Sequence, residues 1–451
     1  MLRALAPGLF LLAMLLASPG GAMTLPEALA KVYETSPRLA AARARLRAVD
    51  EEVPQALGGA RPRLVASSSA IASRRATDRG KADLSTFRQV LAVEQQLYSG
   101  GETTALVNRA ENAVRAERAR LAAVEQDLFL ETVAVYTAVL RDRAVVELAR
   151  ANERSLEAQL RATRDRFRLG AVTRTDVAQA ETRLARAVAD RLRAEGELAV
   201  SSADFLRLVG EPPGALEPVG LPKPLPASLE EGLEAVETHP IVRAARYALD
   251  GARDATEAAL AALKPRLWLH GEASYATDPD LTYSRQSELA LGATLKVPLY
   301  QGGGEYARIR QSRQTALQRR YDLDDARRSV ARDVAAAWQG LLTARARLAS
   351  IATQIRAAEL ALDGVRTEAL TGARTVLDIL DAEQELFAAR VERTRAQRVE
   401  IVAAHALLAA TGTLDLERLE VPVAAHDVEA HYRAVRNKWF GTGEVDAPRR
   451  P

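Results

Sequence analysis

Side chains able to do chemistry are few in type and widely spaced. The chain has no Cys, and its five histidines (His239, His270, His405, His426 and His431) show no metal-ligand spacing. His405 lies among apolar helix residues and reads as a packed histidine. No glycine-rich phosphate loop and no nucleophile–base constellation occurs, so an enzyme, a cofactor site and a metal site are not expected. What stands out is Asp378-x-x-Asp381 within GARTVLDILDAEQEL, preceded by Arg374. Acidic residues early in a helix favour its N-terminus through the dipole. Gathered in a ring, they favour cations and raise one another's pKa.

That segment has an earlier echo. RFRLGAVTRTDVAQAE begins at Arg166 and RTEALTGARTVLDILDAE at Arg366. Aligning Gly170 with Gly372, an offset of 202, also matches Thr173 with Thr375, Asp176 with Asp378 and Glu181 with Glu383. Tyr98 of QQLYSGG and Tyr300 of VPLYQGGG keep the same offset; RPRL at Arg61 and KPRL at Lys264 differ by 203. A period this long is not a solenoid repeat. It is a duplicated half-protein.

Each half opens on a helical region, 25–58 and 228–263, stopped at Pro62 and Pro265. Two strand-like segments follow, about 63–72 and 86–98, then about 266–275 and 287–299. The last alternates cleanly, with Leu289, Leu291, Ala293 and Leu295 opposite Glu288, Gly292, Thr294 and Lys296. A strand of ~9–11 residues with one apolar face suits a transmembrane barrel. Two soluble hairpins on a core would alternate alike; the flanking helices favour the barrel. From Gly304 to about Leu370 an a/d seam runs through Leu323, Val330, Val334, Leu341, Ile351, Ile355 and Leu362. Glu102 to Arg168 matches it. At ~1.5 Å per residue each helix spans roughly 100 Å. Gly100, Gly101, Gly302, Gly303 and Gly304 mark where strand hands over to helix.

The expected organisation is a leader over 1–22, a first repeat over 23–210 with helical hairpin 102–210, a Pro-rich linker over 211–227, a second repeat over 228–414 with hairpin 304–411, and a tail over 415–451 whose end is disordered. Arg3, an apolar run and a small-residue site ending at Ala22 make the leader. Net charge is only +3, so nothing points to a nucleic-acid footprint. Four strands cannot close a barrel, and open edges in lipid cost several kcal/mol per unpaired group. The chain must therefore oligomerise; two copies or three would serve.

LYSGG and LYQGG, RFRLGAVTRTDV, GARTVLDILDAEQEL and the closing TGTLD resemble the TolC family of outer-membrane channels, from about Thr24 to Leu419. The resemblance implies a mainly α fold with transmembrane β: a homotrimer, a twelve-stranded barrel in outer-membrane lipid, and an α-helical tunnel in the periplasm. It implies an exit duct served by a periplasmic adaptor (membrane fusion protein) and an inner-membrane transporter, of ABC type or, alternatively, proton-driven. VPLYQGGGEYARIRQ and EEVPQALGGARPRL are similar to the type I secretion branch, and the absence of Cys argues against the lipid-anchored multidrug branch. Small-molecule efflux is the alternative; a soluble periplasmic coiled-coil adaptor is the alternative of another class. By resemblance Asp378 and Asp381 line the constriction, where three chains gather six carboxylates. Arg374, Thr175 and Asp176 form a latch between hairpins, with Ala369 standing where the family carries a tyrosine. Arg166, Leu169, Gly170, Thr371 and Gly372 lie at tips that meet the adaptor, although a plain helix turn accounts for the glycines equally well.

Overall fold

The computed structural model describes residues 22–78, 80–279, 283–371 and 373–443. The leader reading, save for Ala22, the extreme C-terminus and Gly372 lie outside them.

The chain begins with three short helices, α1 (Leu25–Thr35), α2 (Pro37–Asp50) and α3 (Glu52–Leu57). The helical region read as 25–58 is therefore broken. Pro37 cannot donate to α1, and Ser36 caps α2 by accepting from the Leu39 N–H. The strands β1 (Arg63–Thr77) and β2 (Gly80–Tyr98) outrun the sequence expectation. Their outer halves carry SRRAT and GKAD, which read as loop by composition. Arg74 instead grips Asp83 across the hairpin at 2.6 and 2.9 Å.

Next come α4 (Glu102–Arg168) and α5 (Arg174–Val209), the linker, then α6 (Leu229–Glu234) and α7 (Pro240–Leu260). Pro240 repeats the break made by Pro37, with His239 Nδ1 accepting from the Ile241 N–H at 3.2 Å. β3 (Arg266–Thr277) and β4 (Arg285–Lys296) complete the sheet. β4 stops short of the expected Leu299, since Pro298 has no N–H for a ladder. The long α8 (Gly304–Leu370), its return α9 (Val376–Ala410) and a short α10 (Ala430–Val435) finish the chain. Gly304 is already helical; Gly302 and Gly303 take the left-handed turn, as Gly100 and Gly101 do.

The sheet is antiparallel in the order β1-β2-β3-β4, so β2 and β3 join the two halves. Register sorts the faces. Leu91 pairs with Ala273 and Ala273 with Leu289, while Ala92 pairs with Glu272 and Glu272 with Ala290. One face therefore carries Leu64, Leu91, Val93, Leu269, Leu291 and Leu295. The other carries Arg63, Arg88, Glu94, His270, Glu272 and Glu288. Arg88 bonds Glu272 at 3.1 Å on this polar face.

The helical seams are buried where the heptads place them. Val330, Val334, Leu341, Ile351, Ile355 and Leu362 line α8; Val114, Leu121, Leu128, Val145 and Leu156 line α4. The main core sits at mid-height, where Tyr33, Phe129, Tyr136 and Phe205 meet. Tyr136 Oη reaches the Met23 carbonyl at 2.6 Å and the Glu217 carbonyl at 3.0 Å, tying the start of the described chain and the linker to α4. Arg143 donates to the Pro213 carbonyl and Arg418 to that of Pro224, so the linker is strapped down rather than slack. The tail packs too: Glu429 bonds Arg118, His431 bonds Asp50, and Arg436 bonds Glu111.

Candidate functional site at the free ends of the helical hairpins

The end of the rod farthest from the sheet holds the two hairpin turns. After α4 the chain reverses at Gly170, whose φ is +73°. The Ala171 N–H donates to the Arg166 carbonyl at 2.9 Å, a six-to-one closure that satisfies an orphan carbonyl. The second turn repeats it, with the Ala373 N–H donating to Glu368 O at 3.0 Å. Both return helices start on a capping box. Thr173 Oγ1 accepts from the Asp176 N–H while Asp176 accepts from the Thr173 N–H at 2.7 Å; Thr375 and Asp378 do the same at 2.9 Å. Below each turn an ion pair braces the two arms: Arg164–Glu181 at 2.7 Å and Arg366–Glu383 at 2.6 Å. These braces obey the 202-residue offset, yet only the matched glutamates stood out in the sequence. The arginines one turn inside the helix ends were not singled out.

The structure places the sequence-read residues as follows. Asp378 serves its own helix cap, and the backbone N–H of Thr375 holds its carboxyl below the usual range, helped by the Thr375 hydroxyl. Within one chain this is opposite to the rise expected of a carboxylate ring. Asp381 forms a close ion pair with Arg183 of α5, joining the two hairpins. Arg374 does not meet Asp176 within the chain. It bonds Glu368 at 2.8 Å, while Asp176 is engaged by Thr173. Thr371 Oγ1 donates to the Glu368 carbonyl, and Leu169 is 84% exposed at the apex of its turn. Arg166 is exposed beside it. Val376 and Leu380 of α9 pack against Leu156, Leu160, Ala180 and Ala187 of the first hairpin, so the Asp-bearing turn of α9 is held between both hairpins.

At the opposite end, Gly100 and Gly101 lead into α4 beside the chain at Lys264 and Pro265; Pro62 precedes β1. His239, His405 and His431 have structural roles. His239 is a cap, and His405 is buried with Nδ1 donating to the Ile401 carbonyl at 2.8 Å. Among the described residues no group of three or more His, Asp and Glu could hold a metal ion. No described helix is long and apolar enough to cross a membrane.

The arrangement is thus a sheet with one apolar face on an approximately 100 Å helical rod, ending in paired turns rimmed by charge. The family model for outer membrane efflux proteins matches residues 28–211 and again 233–413. The chain is 34% identical over 94% of its length to outer membrane efflux protein BepC of Brucella suis, spanning 92% of that protein. It is 30% identical over 81% of its length to the alkaline protease secretion protein AprF of Pseudomonas aeruginosa, spanning 77% of that protein. Among solved structures, the outer membrane protein VceC of Vibrio cholerae superposes with a TM-score of 0.76 at 20% identity, covering 87% of this chain and 97% of that one.

Proposed function

This chain belongs to the outer membrane efflux protein family, that of the TolC channels, and from that premise we propose that three copies form the exit duct of a tripartite export system. The sheet sits in the outer membrane and the helical tunnel in the periplasm. One observation carries the ring: the apolar face of the sheet stands bare, with Leu289 87% and Leu291 79% exposed, while β1 and β4 each pair on one side only. A lipid-facing sheet cannot keep open edges. Three chains give twelve strands, an even number within the range of closed barrels.

Substrate arrives from an inner-membrane transporter through a periplasmic adaptor that docks on the exposed tips at Arg166, Leu169 and Gly170, and at Thr371; Gly372, beside Thr371 in sequence, belongs to the same proposed docking site. An ABC-type transporter and type I protein secretion are favoured by the likeness to a protease secretion protein. Small-molecule efflux is the second reading, favoured by the higher identity to a protein named for efflux. Asp378 and Asp381 are proposed to line the narrow mouth. Arg374, with Thr175 and Asp176 of the neighbouring hairpin, closes it; because Arg374 is engaged by Glu368 and Asp176 by Thr173 within their own chain, this contact belongs between chains.

Single-channel recording in planar bilayers tests the proposal. Wild-type protein gives small, cation-selective steps. Asp378→Asn with Asp381→Asn lowers the cation preference in a salt gradient, and Arg374→Ser with Asp176→Ala raises conductance. Protein that stays a one-subunit species without detergent and conducts nothing would overturn the duct.

A further inference from the structure

We propose that β4 of one copy pairs with β1 of the next in the same register the chain already uses between β2 and β3, carried across by the repeat, so that Ala293 faces Ala70, Thr294 faces Ser69 and Lys296 faces Ser67 of the second copy. This register rests on the ring proposed above and specifies how its three seams are made.

The derivation uses only the duplication and the observed ladder. β2 maps onto β4 with the offset of 202 set by Tyr98 and Tyr300; β3 maps onto β1 with the offset of 203 set by KPRL and RPRL. Within the chain Leu91 pairs with Ala273, Ala92 with Glu272 and Glu94 with His270. Shifting both partners yields the three pairs named. Strand direction agrees, since alternating antiparallel strands leave β4 running opposite to β1.

The pleat supplies a check that the derivation did not use. A one-residue error in either offset would set the leucine face of β4 beside the polar face of β1. Instead Ala293, on the face of Leu291 and Leu295, meets Ala70, on the face of Leu64. Thr294 and Lys296 meet Ser69 and Ser67 on the polar face.

The strand–helix handover points the same way. Gly100 (φ +68°) sits so close to the second half that an added Cβ would lie 2.8 Å from Lys264 Cβ and 3.1 Å from the Ala261 carbonyl. Gly302 (φ +78°) has the same twist but open space around it within the chain. The counterpart of Lys264 is Arg61, and the proposed register brings Arg61 of the second copy to that empty side. An ion pair is likewise half-built. Arg266 at the start of β3 bonds Glu102 at the start of α4 at 2.9 Å. Arg63 is the counterpart of Arg266, and Glu305 stands one residue beyond the counterpart of Glu102. Among the described contacts neither has an ion pair in its own chain, and the register places them together across the seam.

The chain has no Cys, so paired cysteines report this register directly. Three full-length double variants are compared in detergent-purified protein under mild oxidation: Ser69→Cys with Thr294→Cys, and the two-residue slips Ser67→Cys with Thr294→Cys and Ile71→Cys with Thr294→Cys. All lie on the water-facing side of the sheet. A directly opposed pair falls within disulfide reach, whereas diagonal neighbours sit ~7–8 Å apart, so the in-register variant should cross-link roughly tenfold faster. It should yield covalent species up to three chains. Faster linkage in either slipped pair overturns the register while leaving the ring intact. So does failure of all three pairs in protein that still forms conducting pores. Failure of all three in one-subunit, non-conducting protein overturns the ring itself.

Discussion

At the residue scale, one side chain often answers two demands that look identical in sequence. Asp378 stands out in the sequence for its charge and Asp176 for its place in the latch, yet in the folded chain each first completes a helix cap with the threonine three residues earlier. The Thr-x-x-Asp signature was legible at both places. What was not legible is that Asp381, lacking a threonine three residues before it, turns to Arg183 instead. The histidines separate as cleanly. Burial pushes the His405 imidazole below its ordinary pKa, the bond to Ile401 offsetting this only in part. A depressed histidine pKa means the unfolded chain binds the proton more readily. Stability from His405 is therefore full above about pH 6.5 and lost as pH falls toward the folded value. His239 and His426 shift in the same direction through burial. His405→Gln should flatten the pH dependence of thermal unfolding below about pH 6.5 by up to ~1.4 kcal/mol per pH unit without abolishing it. Unfolding midpoints across that range measure it; a slope equal to wild type would show that His405 titrates normally.

At the element scale, legibility tracked periodicity. Helices α4 and α8 are 67 residues each, with ends at the expected glycine turns, because a heptad seam repeated over many turns is a strong signal. The outer halves of β1 and β2 were lost because their stabilising device is a cross-strand Arg74–Asp83 pair, which composition alone reads as loop. The helical region before β1 looks like one piece in the sequence because Pro37 ends α1 and opens α2 at once, with no change in helical composition to mark the break. The seam also makes a sharp contrast between neighbours. Leu341 is 1% exposed, packed against Ala404 and Leu407, whereas Leu342 is 41% exposed. Leu341→Ala should cost about 2–5 kcal/mol, by removing buried methyls and leaving a cavity. Leu342→Ala should stay within ~0.5 kcal/mol. Denaturation of the two variants side by side checks the heptad; equal losses would place α8 in a different rotation about its axis.

At the scale of the whole molecule, the puzzle is how a rod about 100 Å long keeps its free tips aligned with a sheet at its other end. Each hairpin stiffens itself through its seam, but two hairpins need a common waist. The chain provides one at mid-height. The linker between halves is fastened to α4 by Tyr136 and Arg143, and the tail returns from the second half to the first. There Val435 is fully buried, Arg118 lies over the Tyr432 ring, His431 meets Asp50, and Arg61 donates to the Lys438 carbonyl. The sequence shows the tail after about Asp415 as irregular, because a six-residue helix and a few charged contacts carry no period; the role of residues 426–443 as a strap is tertiary. Ending the chain after Ala425 removes every one of those contacts. Loss of the Val435 packing alone is worth ~1.5–3 kcal/mol, so the truncated protein should unfold or dissociate at clearly lower temperature. Its single-channel conductance should remain that of wild type, because the strap bonds Tyr33 of α1, Asp50 of α2, Glu51, Arg61 and the upper part of α4, all far from the turns at Gly170 and Thr371. Melting and conductance measured on one preparation separate the two effects. A truncation that leaves the melting temperature unchanged would mean the waist is held by the linker alone, and one that widens the pore would mean the waist sets the spacing of the tips.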